Sequence, residues 1–395
     1  MRVDVAIVGA GPVGCFVGKI LADRGLDVVI VEEHGEVGNP ACCTGIVGVK
    51  GLEELGIKPG SWVLGKLRGA VIYTPSNEPI ELTRGMVEAF IIDRAEFDRS
   101  LVKNAAKAGV TFLLKQRCVD LIFDDGPVIK LGGMQKSELN ARIVIGADGP
   151  VSLVARKAGF IKSCKYIRCV QVETIAEARD DIAEVYFGKT FAPGFFGWLV
   201  KAGDVCRVGL GATEGNPNRM LQYFLTNHPV VSRKIRGRIL NICSGLVPEP
   251  LSRDICANDI LLVGDAAGHV KPLTGGGIYT GLSCAKLAAQ AIVNTLESGV
   301  ARKLKGYESA VRKKFGREFE LGIRARKLFC QMSDEDLNLL LGLLRRDDVK
   351  EIVLKNFDFD HHGRTIRALM FKAPELLGST GLKRVLKYAR FLTKS

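Results

Sequence analysis

Two groups of residues in this 395-residue chain have types and spacings suited to chemistry. The first is Gly9, Gly11 and Gly14 in VDVAIVGAGPVG, followed by Glu32 at the end of DVVIVE. Gly9 suits a tight turn, Gly11 lets a pyrophosphate approach the backbone, and Gly14 lets a helix pack closely on a strand. Pro12 and Val13 open that helix, whose free N–H groups attract phosphate oxygens. Glu32, 21 residues after Gly11, is placed to accept hydrogen bonds from ribose hydroxyls. The second group is the adjacent pair Cys42 and Cys43 in NPACCTGIVG. A thiol there can orient a ligand or relay a proton. A low-pKa nucleophile would need a positive partner that the local sequence does not show. Adjacent cysteines bridge each other only with strain, and plain packing is the alternative role for both.

The glycine spacing alone does not separate FAD from NAD. Two later stretches favour FAD. ARIVIGADG (141–149) is a strand ending in Asp148-Gly149, and ILLVGDAAGHVKPLTGGGIYTG (260–281) is a strand ending in Asp265, then a Gly275–Gly277 loop opening a helix. Asp265 suits ribityl hydroxyls. N–H groups at Gly277 and Ile278 suit the pyrimidine edge of a flavin, which gains negative charge on reduction and is favoured by a helix N-terminus. Tyr279, a water and His269, which titrates near neutrality, join Cys43 as candidate proton donors.

Positioning these residues takes an α/β fold. We expect a Rossmann-like FAD-binding domain from 1–160 and 250–300, with part of 61–92 in a sheet domain. An antiparallel-sheet substrate domain is expected over 161–249, and a helical region over 301–395. Alternation in AEVYFG, FGWLV and DVCRVGLG supports the sheet. Phe191, Phe195, Phe196 and Trp198 are candidate walls of an apolar tunnel, or plain core. DEDLNLLLGLLRRDDVKEIV predicts one helix capped by Ser333 or Asp334. GLKRVLKYARFLTK predicts a basic amphipathic helix that would rest on anionic lipid or pack on the protein body.

Composition is that of a folded protein, 47% hydrophobic and 25% charged. The eleven cysteines include no CxxC pair and histidines number five, which argues against a metal site and for free thiols in a reducing cytoplasm. No signal peptide and no apolar run of about 18 residues is seen, so a cytoplasmic protein, peripheral at most on the inner membrane face, is expected. The net charge of +13 is concentrated at residues 301–395, with 22 Lys and Arg against 12 Asp and Glu. This suits solvated surface or an anionic membrane rather than nucleic acid.

The glycine fingerprint, the Asp148-Gly149 and Gly264-Asp265 pairs and IIDRAEFDRSL (91–101) resemble the FAD enzymes that include p-hydroxybenzoate hydroxylase. Within that group, GDAAGHVKPLTGGGIYTG, CTGIV and APGFFGWLV resemble the geranylgeranyl reductase family, notably archaeal reductases of unsaturated isoprenoid lipids, over roughly residues 1–330. The resemblance implies FAD as cofactor, with Arg94 near its pyrophosphate or ribityl chain and Val119 among its contacts. It places Cys43 beside the flavin, with Thr44, Gly45 and Ile46 giving backbone contacts to the ring. Pro193, Phe196 and Trp198 fall on the family's substrate motif, though Phe196 replaces its tyrosine and Val200-Lys201 its Phe-Pro. The implied activity is saturation of isolated double bonds in geranylgeranyl chains by hydride transfer and protonation. The isoprenoid lipid is then the substrate, and ferredoxin, a deazaflavin or NAD(P)H the electron donor. A flavin monooxygenase or halogenase, and a non-enzymatic electron-transfer or membrane-surface protein, are the alternatives on the same scaffold.

Overall fold

The computed structural model describes residues 2–124, 126–133, 136–160, 165–249, 254–257, 259–298 and 304–372. The chain forms two compact units. Met1–Ala41, Asp93–Lys165 and Pro248–Arg317 make the first; Cys42–Ile92, Tyr166–Val247 and Glu318–Ser395 make the second.

In the first unit the opening apolar run becomes the strand Arg2–Val8, with Val5, Ala6 and Ile7 fully buried. Apolar residues on both faces suit a central parallel strand. It runs parallel to Ser137–Gly146 on one side and to Val28–Val31 on the other. Thr111–Leu113 continues the parallel sheet beyond Val28–Val31, and Ile260–Leu262 continues it beyond Ser137–Gly146. The strand order therefore reverses at Arg2–Val8, the switch point where such sheets take their ligands. The helix Pro12–Ala22 follows at once, and the chain leaves it through Gly25 at φ 79°. Helix Ile278–Ser298 packs against it closely: a Cβ on Gly281 would lie 2.7 Å from a Val13 methyl. IIDRAEFDRSL enters the helix Arg94–Lys107, capped by Asp93, which accepts from the Glu96 N–H at 2.9 Å.

The second unit holds a seven-stranded sheet in the order Ile235–Pro248, Tyr166–Ala176, Val205–Ala212, Gly197–Ala202, Ile182–Tyr186, Gly69–Tyr73, Pro79–Thr83. It is not wholly antiparallel: Ile182–Tyr186 pairs with Gly69–Tyr73 in parallel, because the latter arrives from a distant chain segment rather than by a hairpin. A three-stranded sheet joins Ile46–Gly48, Ala89–Ile92 and Val63–Leu67. The 161–249 stretch also contains helices that strand alternation hid. Pro217–Thr226 starts with Asn216 accepting from the N–H groups of Asn218 and Arg219, and Val231–Lys234 follows. Leu221, Phe224 and Val231 seal one face of the sheet with Tyr186, Leu199, Val208 and Leu210.

The predicted helix after Ser333 divides in two. Ser333 caps Asp334–Gly342, and a second helix, Asp347–Asn356, begins after Arg346 turns extended at ψ 132°. The acidic pair Asp347-Asp348 favours a new N-terminus there, and the Arg346 guanidinium bonds Asp348 at 2.8 Å. The basic segment 381–394 lies outside the described residues.

Candidate active site

The three fingerprint glycines have different physical reasons. At Gly9, φ is 105° and a Cβ would lie 2.4 Å from the Ala147 carbonyl oxygen; at Gly14 it would lie 2.1 Å from the Gly9 carbonyl oxygen. Those two serve the protein's own packing. A Cβ at Gly11 would meet nothing within 4 Å. That open cradle sits at the start of Pro12–Ala22, which has no side-chain cap, so its first-turn N–H groups are available to an anion. Glu32, just past Val28–Val31, accepts from the Ala10 N–H at 2.8 Å, and its other oxygen meets the His34 N–H at 2.9 Å and the His34 ring Nδ1 at 2.7 Å. A carboxylate has about four acceptor positions, which leaves about one for a ribose hydroxyl. These residues fit a bound dinucleotide.

The Asp265 turn belongs to the same neighbourhood, because Val13 touches the positions above both Gly264 and Gly281. Asp265 Oδ1 lies 2.8 Å from where a Cβ on Gly277 would be, which requires glycine at that approach to Ile278–Ser298. His269 is buried, with its ring 6.4 Å from that of Tyr307 and its carbonyl accepting from the Thr280 hydroxyl at 2.5 Å. Tyr279 is buried too, with the Lys314 ammonium 5.9 Å from its ring centre. Arg94 makes two hydrogen bonds to Asp98, at 3.2 and 3.1 Å. Burial raises the Asp98 carboxyl pKa, and Arg94 opposes that shift. Val119 lies on the strand Gln116–Asp124, half exposed, above Gly132.

In the second unit the cysteine pair takes two separate roles. Cys42 is bonded to Cys243 of Ile235–Pro248, with Cα atoms 5.6 Å apart. This corrects the expectation of free thiols throughout. The partner stands 201 residues away and is delivered by the sheet, so neither adjacent-cysteine strain nor CxxC spacing bears on it. Cys43 is a free, half-buried thiol whose Sγ accepts from the Gly45 N–H at 3.3 Å. Its carbonyl accepts from Gln171 Nε2 at 3.3 Å, and Gln171 Oε1 accepts from Trp198 Nε1 at 2.9 Å. The Thr44 carbonyl accepts from Arg207 and the Gly45 carbonyl from the Ile92 N–H. Ile46 begins Ile46–Gly48, opposite Ile91. The turn therefore directs the Thr44 and Gly45 carbonyls to the protein.

The four candidate aromatics separate. Phe191 stacks on Phe224 at 4.8 Å within the core under Pro217–Thr226. Phe195, Phe196 and Trp198 cluster instead with Ile167, Cys169 and Val247. Phe196 stacks on Phe195 at 4.1 Å and meets Trp198 edge-on at 6.2 Å. The glycines of VGLG make the room: a Cβ at Gly209 would lie 2.6 Å from the Trp198 ring, and one at Gly211 2.5 Å from the Phe195 ring. Pro193 is buried and its carbonyl accepts from Thr213. Buried Arg326 places its guanidinium 5.4 Å from the Phe195 ring centre and donates to the Gly194 carbonyl at 3.0 Å. Beside Cys43, burial first and the Cys43 charge second push the Cys169 thiol up to about 12, against Arg326. Sequence reasoning missed Gln171, Arg207, Arg326 and Cys243. A glutamine inside CVQVETI and an arginine inside VCRVGLG interrupt apolar strands, and that was the available signal.

Residues 2–189 match a family described as FAD binding domain. A digeranylgeranylglycerophospholipid reductase from Methanopyrus kandleri is 33% identical over 372 residues, covering 89% of this chain and 93% of that protein. The chain belongs to this reductase family. A solved structure of a geranylgeranyl bacteriochlorophyll reductase-like protein from Thermoplasma acidophilum superposes with TM-score 0.84 at 27% identity, covering 97% of this chain and 99% of that one. A flavin-dependent brominase superposes with TM-score 0.71 at 15% identity, covering 99% and 100%, which shows a shared fold. The family member described here is an FAD-dependent oxidoreductase.

Proposed function

We propose that the protein reduces isolated double bonds of geranylgeranyl chains in archaeal-type ether lipids. The observation that carries this is the 33% identity to a digeranylgeranylglycerophospholipid reductase across nearly the whole of both chains. When bound and reduced, FAD supplies the hydride. Gly11, Pro12 and Val13 would hold the pyrophosphate in a turn shaped by Gly9 and Gly14, Glu32 the ribose, and Asp265 with Gly277 and Ile278 the ribityl chain and ring edge. Arg94 and Val119 complete the cofactor set.

An isolated alkene offers no oxyanion to stabilise, so catalysis must come from positioning and exclusion of water. Pro193, Phe196 and Trp198 supply an apolar surface for the chain, and the phenylalanine at 196 leaves it free of a hydroxyl. Cys43 Sγ delivers the proton to the second alkene carbon. The electrons come from an external donor, either ferredoxin, a deazaflavin or NAD(P)H. A lipid substrate brings the protein to a membrane surface; among the described residues no helix is long and apolar enough to cross one.

The test is anaerobic incubation of the dithionite-reduced, FAD-loaded protein with digeranylgeranylglyceryl phospholipid, read by mass spectrometry. Addition of whole hydrogen pairs is expected. Unchanged lipid, together with oxygen-dependent NAD(P)H consumption on an aromatic substrate, would overturn the reading in favour of a monooxygenase or halogenase. Within the reductase, Cys43→Ala should lower kcat by about 100-fold or more while FAD binding stays intact.

A further inference from the structure

The turn that carries Cys43 is held from one side by a single buried cation. Arg207 lies in Val205–Ala212, and its side chain is 10% exposed. Its Nη1 donates to the Thr44 carbonyl at 3.0 Å and to the Ile92 carbonyl at 2.9 Å, and its Nε donates to Glu173 at 3.2 Å. One guanidinium nitrogen thus ties the turn to the end of Ala89–Ile92. Gly45 completes the fit. It stands at φ 76°, and a Cβ there would lie 2.6 Å from both Arg207 Nη1 and the Ile92 carbonyl oxygen. The Ile92 N–H returns a bond to the Gly45 carbonyl at 2.8 Å, and the Gly45 N–H reaches Cys43 Sγ.

A buried charge is costly unless its donors are matched, and here the Thr44 carbonyl of the thiol turn, the Ile92 carbonyl and the Glu173 carboxylate match them. Moving the turn would strip Arg207 of one of those three acceptors. Gln171 fixes the preceding carbonyl, so Cys43 and Thr44 are anchored residue by residue to neighbouring strands.

We propose that Arg207 is a positioning residue for Cys43, fixing the backbone turn from which the thiol projects. The consequence for turnover rests on the function proposed above; the consequence for the thiol does not. The test uses the full-length, FAD-loaded protein and its Arg207→Gln, Arg207→Lys and Glu173→Gln variants. Alkylation of Cys43 by iodoacetamide is followed by peptide mass spectrometry, alongside amide hydrogen exchange at Gly45 and Ile92. Arg207→Gln should speed both by about tenfold, since the turn then opens locally. It should lower kcat for alkene reduction by about 100-fold with KM nearly unchanged, as expected for a displaced reacting group, and Arg207→Lys should restore part of the loss. A folded Arg207→Gln variant with unchanged alkylation and exchange would overturn the proposal, as would kcat and KM shifting together. If that variant does not fold, Glu173→Gln must still raise Cys43 alkylation, and no change there overturns the proposal equally. Wild-type protein that reduces no alkene sinks the proposed function, while alkylation and exchange still decide the role of Arg207.

Discussion

At the residue scale, the same amino acid carries different physical loads at neighbouring positions. Gly9 and Gly14 are demanded by backbone packing, whereas Gly11 is surrounded by space. Gly11→Ala should therefore fold with a melting temperature close to wild type yet bind FAD at least about tenfold more weakly, since the added methyl occupies the approach to the phosphates. Fluorescence titration of apoprotein with FAD, paired with a melt of the same sample, checks this. His228 gives a second test. Its ring packs on Tyr186, Phe191 and Phe224, and burial lowers its pKa from 6.5 to about 4. The unfolded chain binds that proton more readily, so stability should rise with pH across this window and be lost as pH falls from 6.5 toward 4. The loss is up to about 3 kcal/mol below the lower value. Melts across that range should show a flatter dependence in His228→Asn than in wild type.

At the element scale, helix starts are set by side chains that compete for orphan N–H groups. Asn216 accepts from two of them at the head of Pro217–Thr226, the helix that seals the core over Phe224. Asn216→Ala should cost about 1 kcal/mol, measured as a lower denaturant midpoint with unchanged slope. The division of the predicted helix after Ser333 has the same origin. Its apolar spacing runs on through LGLLRRDDV, but an acidic pair and an extended Arg346 start a new helix.

At the scale of the whole molecule, the Cys42–Cys243 bond links two cysteines of the second unit 201 residues apart, and the loop it closes includes Asp93–Lys165 of the first unit. A cross-link of that span restricts the unfolded chain by up to about 5 kcal/mol in the chain-entropy description, and typical bonds give about 2–4 kcal/mol. A thiol reductant should lower the melting temperature of wild type and leave a Cys243→Ala variant unmoved. Equal shifts in both would show that the bond contributes nothing. The bond also joins the thiol turn to an edge strand whose Ile239, Leu240 and Ile242 are each more than half exposed.

The sequence by itself determined the local units. VDVAIV, the glycine spacing and Glu32 specify a strand, a turn and a helix from neighbours alone, because the interactions involved span only a few residues. The Asp265 turn was legible for the same reason, and with Asp148-Gly149 it pointed to the flavin that the family resemblance also implied. Only the tertiary structure decided what surrounds Cys43. Gln171, Arg207 and Cys243 reach it from strands more than 120 residues away in sequence. Their pairing depends on sheet register, which no local pattern encodes. It likewise separated Phe191 from Phe195, Phe196 and Trp198, since the face a side chain takes depends on which elements cover each side of the sheet.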